Sequence, residues 1–370
     1  MKKSLRRILL SVILLAGILL CVVLWQRTLS LPVGYASGTT GMLSEVGVDG
    51  RNAFLLRVEE INAAGGILGR KVEPVVLDDQ NTPEGVALVH QAFDARGVHF
   101  VVGHILSVLD GAVLAQATNP SKLILSASMS SALMDGIDDN FIRISSSYLG
   151  QVDRMHRYMV DTDHLQSLSI VYDLRNKAYA EGFAKAMEAR FTGPVTLYGI
   201  DEDAAALAVI TEQVKQNPTE GLLMLTPANV TALICQTLQT QQIDMKTYSV
   251  SWSMTNDLFK DGGRAVEGLK IVYIRTDPQY EAAYQAFHDR FVRAYGYEPS
   301  TICYNTYEIT SVLFEAMRRT GSIDVGTVRA ELLEGHFEGL YGSIDIDDRG
   351  DRVQRFVMFT VKDGTFVALE

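Results

Sequence analysis

Cysteine is scarce in this chain, base is outnumbered by acid, and the signatures of common catalysts are missing. Only three of the 370 residues are cysteines, at positions 21, 235 and 303. Cys21 lies in an apolar segment. Cys235 and Cys303 would pair only by chance of fold, and both read as buried free thiols. There is no closely spaced cysteine pair and no HExxH, and the seven histidines are scattered, so no metal centre is implied. GxSxG, Walker A and GxGxxG patterns are absent as well, and no cofactor is implied. The run "SSSY" at 145–148 has no base paired with it in the sequence, which argues against a serine hydrolase. "DIDDRGD" at 345–351 opens like a calcium loop, but Arg349 takes the fifth ligand position and Phe356 the twelfth, where a bidentate acid is required. It reads as a solvated turn.

Positive charge is concentrated at one end. The first 30 residues carry five basic groups and no acid, and removing that +5 from the total of −11 leaves −16 for the rest. An acidic body of this kind speaks against nucleic acid as a partner, because phosphate contacts need a basic surface. The basic flank (Lys2, Lys3, Arg6, Arg7) precedes eighteen uncharged residues, Ile8 to Trp25, in which only Ser11 is polar. That is the lower limit for spanning a bilayer and longer than a usual signal-peptide core. The positive flank stays in the cytoplasm, so the body is exported to the periplasm. We read residues 1–30 as a signal anchor that holds the protein to the inner membrane. Cleavage near Ser30 is the alternative. Lipidation of Cys21 is disfavoured by Leu20, where a small residue is needed.

From residue 31 onward, strand and helix signals alternate. "LPVGYAS" is a β run. The helix after it carries Phe54, Val58 and Ile61 on one face. Gly65 and Gly66 stop that helix. In the strand "KVEPVVLD", Pro74 removes a ladder donor and marks a sheet edge. A helix at about 83–95, the strand "VHFVVG", a helix to about Thr118 and "KLILSAS" follow. A second series begins near Ser147 with "LSIVYD", "PVTLYGI", "GLLMLTP", "TYSVSW" and "GLKIVYI". Strands alternating with helices of this length form parallel sheets covered on both faces. The fold class is therefore α/β, with two doubly wound parallel-sheet lobes and an N-terminal apolar helix.

The stretches "RVEEINAAGGILGRKVEPVVLDDQNTPEGV", "GVHFVVGHILS" and "LILSASMSSAL" resemble the Leu/Ile/Val-binding family of type I periplasmic binding proteins. "SIVYDLRNKAYAEGF", "GGRAVEGLKIVY" and "YGSIDIDDRGDR" extend the likeness in order to the C-terminus, and "TGMLSEVG" is similar to the amide- and urea-binding branch. The resemblance implies a three-crossing hinge, with crossings at 143–147, 273–277 and about 344–352. Lobe one would comprise 31–146 and 277–345, and lobe two 147–276 and 346–370. It further implies a small-molecule ligand held in the cleft between lobes, closure on that ligand, no enzymatic step, and an ABC permease as partner. A membrane sensor kinase or cyclase is the alternative partner, and an amide-processing enzyme the remote alternative.

Six residues are candidates for the ligand site. Ser107 precedes a helix, and with Asp110 three residues on it resembles a capping box. The same helix start offers N–H groups and a hydroxyl to an anion, and the matching serine of the family binds a carboxylate. Ser128 and Ser130 lie just past the end of a parallel strand, where ligand crevices open in such sheets. Tyr179 matches a tyrosine that closes over the ligand, in a loop that carries two extra residues. Tyr148 and Trp252 are expected in the cleft. Trp252 stands where amino-acid binders of the family place an acid for the ammonium. The family's pocket aromatics fall at Leu43, about Ala228, and Ile302. Glu45 or Asp173 are the candidates to supply the missing negative charge. The implied ligand is an amide, a urea-like molecule or a carboxylate without an amine.

Overall fold

The computed structural model describes residues 30–41 and 43–369. The expected anchor at residues 8–25 lies outside them, and among the described residues no helix is long and apolar enough to cross a membrane. The first sheet contains β1 (Leu31–Ser37), β2 (Val72–Asp78), β3 (Phe100–Gly103), β4 (Leu123–Ser126) and β5 (Phe141–Arg143). All its pairings are parallel, in the order β2-β1-β3-β4-β5. β2 is therefore an edge strand, which tolerates the donor that Pro74 lacks. Three helices connect these strands: α1 (Ser44–Ala63), α2 (Pro83–Ala95) and α3 (Asp110–Ala117). α1 ends where Gly65 and Gly66 take φ values of 100° and 78°. A Cβ on Gly66 would lie 1.9 Å from the Arg70 carbonyl oxygen, so only glycine fits this tight return to the edge strand. α2 opens with Pro83 after Thr82, whose hydroxyl accepts the Gly85 N–H at 3.0 Å.

The second sheet takes β6 (Leu168–Asp173), β7 (Val195–Ile200), β8 (Gly221–Leu225), β9 (Lys246–Val250) and β10 (Lys270–Ile274). Between them run α4 (Tyr148–Arg157, ahead of β6), α5 (Lys177–Arg190), α6 (Asp203–Ala208), α7 (Ala228–Thr240) and α8 (Asn256–Gly262). The chain then returns to the first sheet as α9 (Glu281–Tyr295), α10 (Thr301–Thr320) and α11 (Val325–Glu334). Ile309, Val312 and Leu313 of α10 share a buried cluster with Phe54, Val58 and Ile61 of α1. A small hairpin, β11 (His336–Glu338) and β12 (Ser343–Asp345), precedes β13 (Phe356–Lys362) and β14 (Thr365–Ala368). The wholly parallel second sheet expected from sequence needs correction, because β13 lies antiparallel to β10 and β14 antiparallel to β13. The turn between them places Asp363 and Gly364 at φ 52° and 68°, the geometry of a two-residue hairpin.

Both sheets reverse strand order beside a central strand: β1 sits between β2 and β3, and β6 between β7 and β8. Crevices open at the carboxyl ends of strands at such points. The loops after β3, β4, β6 and β9 accordingly face one cavity, described below. Three connections join the sheets, and hydrogen bonds tie the first to the third. Arg143 N–H donates to Gly350 O at 2.9 Å, and Arg352 N–H donates to Arg143 O at 3.2 Å. Ser146 N–H reaches Gln354 Oε1 at 2.9 Å. The turn expected at 345–351 is only partly solvated: Asp351 pairs with the buried guanidinium of Arg143.

Candidate functional site

The cavity lies between the two sheets and has a volume of about 50 Å³. That is several times the room one water needs, and it suits a small ligand. Ser107, Ser128 and Ser130 reach it from the first sheet, and Asn176, Tyr179 and Trp252 from the second. Five of the six candidates from sequence thus line one chamber. The sixth, Tyr148, is not among its lining residues. It packs behind Tyr179 with ring centroids 6.0 Å apart, and its N–H donates to Ser130 O at 2.7 Å.

The loops are held by hydrogen bonds that leave selected groups free. Ser128 Oγ donates to Ile105 O at 2.8 Å and is committed to shaping the loop after β3. Ser107 Oγ accepts the Ser130 N–H at 3.2 Å. The capping box expected here is corrected, because Ser107 opens a short 3₁₀ turn (Ser107–Leu109) and its hydroxyl bonds across the loop rather than to α3. Asp110 is only 2% exposed, and neither of its carboxyl oxygens makes a well-formed hydrogen bond. Burial pushes it up to about 7, against the opposing pull of Ser131 and Arg143. The hydroxyl of Ser130 has no partner among the described residues and remains available to a ligand.

On the opposite wall, Tyr179 and Trp252 meet edge to face at 6.3 Å. Burial raises the Tyr179 phenol far above its ordinary range, so it stays neutral. The indole N–H of Trp252 is sealed from solvent and donates to nothing, and the side chain of Thr255, a residue 4% exposed, stands against the Glu45 carboxyl and favours its charged form. Tyr273 OH donates to Asn305 Oδ1 at 2.9 Å, while Asn305 Nδ2 donates to Ala127 O at 3.1 Å. This pair fixes one side of the chamber.

The two acids proposed to replace the missing charge have different fates. Asp173 is fully buried, and its carboxylate holds the Arg175 guanidinium, with Nε at 2.8 and 3.0 Å from its two oxygens. Its charge is already matched. Glu45 lies in an outer pocket of about 220 Å³ with Leu43, Ala228 and Asp257. Burial first, then the Asp257 carboxylate, push Glu45 up to about 7, although the residue as a whole stands exposed. Leu43 and Ala228 therefore border this adjoining pocket, which shares Val46 and Trp252 with the chamber, and Ile302 lines the chamber itself.

Sequence reasoning missed Asn176, whose Oδ1 accepts the Val108 N–H at 3.0 Å and joins the loop after β6 to the loop after β3. The signal was the length of "DLRNKAY", two residues beyond the family pattern, which brings an amide to this point. Asn176→Ala should remove one bond across the cleft, worth about 0.5–1.5 kcal/mol. Hydrogen exchange at the Val108 amide should then quicken roughly 2- to 10-fold. Unchanged exchange would mean that the contact does not hold the loops together.

A family model described as periplasmic binding protein matches residues 30–365. The chain belongs to that family. Among its relatives is a Leu/Ile/Val-binding protein homolog 1 of Brucella suis, 23% identical over 353 residues that cover 90% of each chain. In shape, this periplasmic binding protein is similar to the branched-chain amino acid transporter substrate-binding protein LivJ of Streptococcus pneumoniae, solved in complex with isoleucine. That match has a TM-score of 0.82 and 21% identity, and it covers 92% of this chain and 99% of the other. It is also similar to a solute-binding protein of an ABC transporter from Rhodopseudomonas palustris, solved with 3,4-dihydroxybenzoic acid. There the TM-score is 0.81 and the identity 18%, with 92% and 96% of the chains covered.

Proposed function

We propose that this periplasmic binding protein captures a small polar metabolite between its two lobes and delivers it to an ABC-type permease. One observation carries the reading: loops from both sheets meet around one chamber lined by serine, threonine, tyrosine and asparagine side chains, with no charged side chain in its lining. A ligand that bonds both walls has its highest affinity for the closed arrangement, and that difference alone drives closure. The lobes we propose are 31–146 with 277–345, and 147–276 with 346–370, turning about three crossings. Residues 8–25 would anchor the protein to the inner membrane. A tethered copy also suits presentation of the closed form to a membrane sensor protein. No step of catalysis enters this reading, because no lining side chain is a base placed to activate a hydroxyl. Mass spectrometry of the small molecule retained by gently purified protein tests it. A specific, stoichiometric metabolite is expected. Empty protein that binds nothing from a periplasmic extract would overturn the proposal.

Ser130→Ala should weaken binding of that metabolite about 5- to 150-fold, since a ligand group loses its partner inside a closed site at a cost of roughly 1–3 kcal/mol. The melting temperature should hold, because the Ser130 hydroxyl has no partner within the protein. Ser107→Ala should weaken binding similarly and lower stability slightly, because Ser107 Oγ also accepts the Ser130 N–H. Calorimetry and thermal melts on both variants decide this. Unchanged affinity in both would leave the two serines a purely structural role.

A further inference from the structure

We infer that a buried chain of side chains, Lys122–His90–His104–Asp79, latches the loops that carry Ser107, Ser128 and Ser130 at neutral pH and releases them in acid. His90 and His104 are buried, and their Nε2 atoms stand 3.2 Å apart. His104 Nδ1 meets a carboxylate oxygen of Asp79, which is buried too. His90 Nδ1 faces Lys122 Nζ at 3.4 Å, and that ammonium also holds Asp94 at 2.9 Å.

Hydrogen-bonding capacity fixes where the ring protons lie. An ammonium only donates, and a carboxylate only accepts. His90 Nδ1, facing Lys122, is therefore the bare nitrogen, and Nε2 carries the proton. That leaves His104 Nε2 as the acceptor and puts its proton on Nδ1, toward Asp79. Lys122 donates to His90, His90 to His104 and His104 to Asp79. An added proton on His90 sets donor against donor at Lys122, and one on His104 does so at His90. Burial and these two neighbours hold His90 down to about 3. Other titratable groups nearby look elsewhere. Asp78 on β2 holds Thr39 and Thr40, and Asp110 on α3 faces Ser131 and Arg143. The Tyr35 phenol on β1 feels Asp79 and stays neutral. α2 otherwise meets α3 and the first sheet through apolar side chains such as Val86, Val113, Phe93 and Val101.

The chain reaches the chamber through the His104 backbone. His104 O accepts the Ser126 hydroxyl at 2.6 Å, and that oxygen accepts the Met129 N–H at 3.1 Å. Ser128 Oγ donates to Ile105 O at 2.8 Å, next in sequence. If His104 leaves its place, these bonds go with it and the serine wall loosens. An opened loop lets His90 take a proton near its ordinary 6.5, so opening becomes about tenfold easier for each pH unit below that. Under the solute-binding reading, acid then weakens capture.

Hydrogen exchange on the full chain, with no small molecule added, tests the latch at the Met129 and Ser130 amides. After division by the intrinsic rate at each pH, their exchange should be roughly 30-fold faster at pH 5 than at pH 7, while amides of β8 keep their rates. His90→Gln keeps a donor and an acceptor but takes up no proton, and it should flatten this dependence. Asp110 cannot imitate the effect, because its proton stabilises the fold in acid. Nitrogen-15 shifts of the wild-type rings need no variant, and at pH 7 they should place the protons on His90 Nε2 and His104 Nδ1. Exchange independent of pH, an equal acid response in His90→Gln, equal acceleration at β8, or a second proton on either ring at pH 7 would each overturn the inference. A metabolite retained on purification would uphold the solute-binding reading in all of these cases.

Discussion

Replacing Arg143 with methionine should lower the free energy of unfolding by roughly 3–5 kcal/mol. The guanidinium is fully buried at the end of β5 and makes four bonds. Its Nε donates to Asp351 Oδ1 at 2.5 Å and its Nη2 to Asp351 Oδ2 at 3.0 Å. Nη1 reaches Ser131 O at 2.8 Å and Nη2 also reaches Asp135 at 2.5 Å. Methionine fills much of the space but leaves both carboxylates without their guanidinium donor, while the Ser131 carbonyl keeps the Met134 N–H at 3.3 Å, and that orphaning of the acids is the larger part of the cost. Lysine keeps the charge but cannot reproduce the planar fork, so Arg143→Lys should fall between wild type and methionine. The consequence extends to the cleft, because Arg143 and Asp351 bind the first connection between the sheets to the third. Urea unfolding of the three proteins is the measurement. A loss below about 1 kcal/mol for methionine would mean that the carboxylates are rehydrated cheaply and that the bridge contributes little.

Two buried groups should give stability opposite dependences on pH. His90 is 1% exposed and faces His104, Lys122 and Phe93, with its Nε2 3.2 Å from the His104 Nε2. His104 in turn pairs with Asp79, and Lys122 with Asp94. Burial first, then His104 and Lys122, push His90 down to about 3. Below its ordinary 6.5 the unfolded chain takes up a proton that the folded protein refuses. Stability is therefore present above that value and lost as pH falls toward 3. Asp110 behaves oppositely. Raised from 3.8 to about 7, it keeps its proton in the folded state across a window where the unfolded chain has released it. Its contribution is present below 3.8 and lost as pH rises through 7.

Variants separate the two. Asp110→Asn should match wild type near pH 4 and become the more stable protein as pH rises to 7, with a slope of at most about 1.4 kcal/mol per pH unit. His90→Gln should gain on wild type as pH falls below about 6.5. Thermal or denaturant melts across this range suffice. A stability difference that stays flat with pH for either variant would remove that group from the account.

The positions of three carboxyls, Asp110, Asp173 and Glu45, show where sequence reading stops. Asp110 looked like half of a capping box because serine and acid stand three apart before an apolar run. In the folded protein the Ser107 hydroxyl finds the Ser130 N–H, contributed by the next strand's loop, and Asp110 is buried with only a weak pull from Ser131 and Arg143. Asp173 and Glu45 were equal candidates for a ligand-facing charge. Arg175 takes the first, and the second lines the adjoining pocket. Burial and partner choice depend on segments that arrive from elsewhere in the chain, so spacing alone does not assign them.

What the sequence determined by itself is the local grammar and its direct consequences. The alternation of strand and helix signals implied parallel α/β sheets. Gly65 and Gly66 had to end α1, because only glycine accepts both the left-handed φ there and the close approach at Gly66. Pro74 had to lie on an edge, because it has no N–H for a second neighbour. The serines after β3 and β4 and the tryptophan after β9 lay at strand ends, where crevices open, and they do line one chamber. Tertiary structure alone decided that Arg143 meets Asp351, 208 residues away, and that Asn176 closes on Val108. It also turned the last two strands antiparallel and moved Tyr148 behind Tyr179. Each of these depends on contacts between distant segments, whose energies arise only when the packed chain removes them from water.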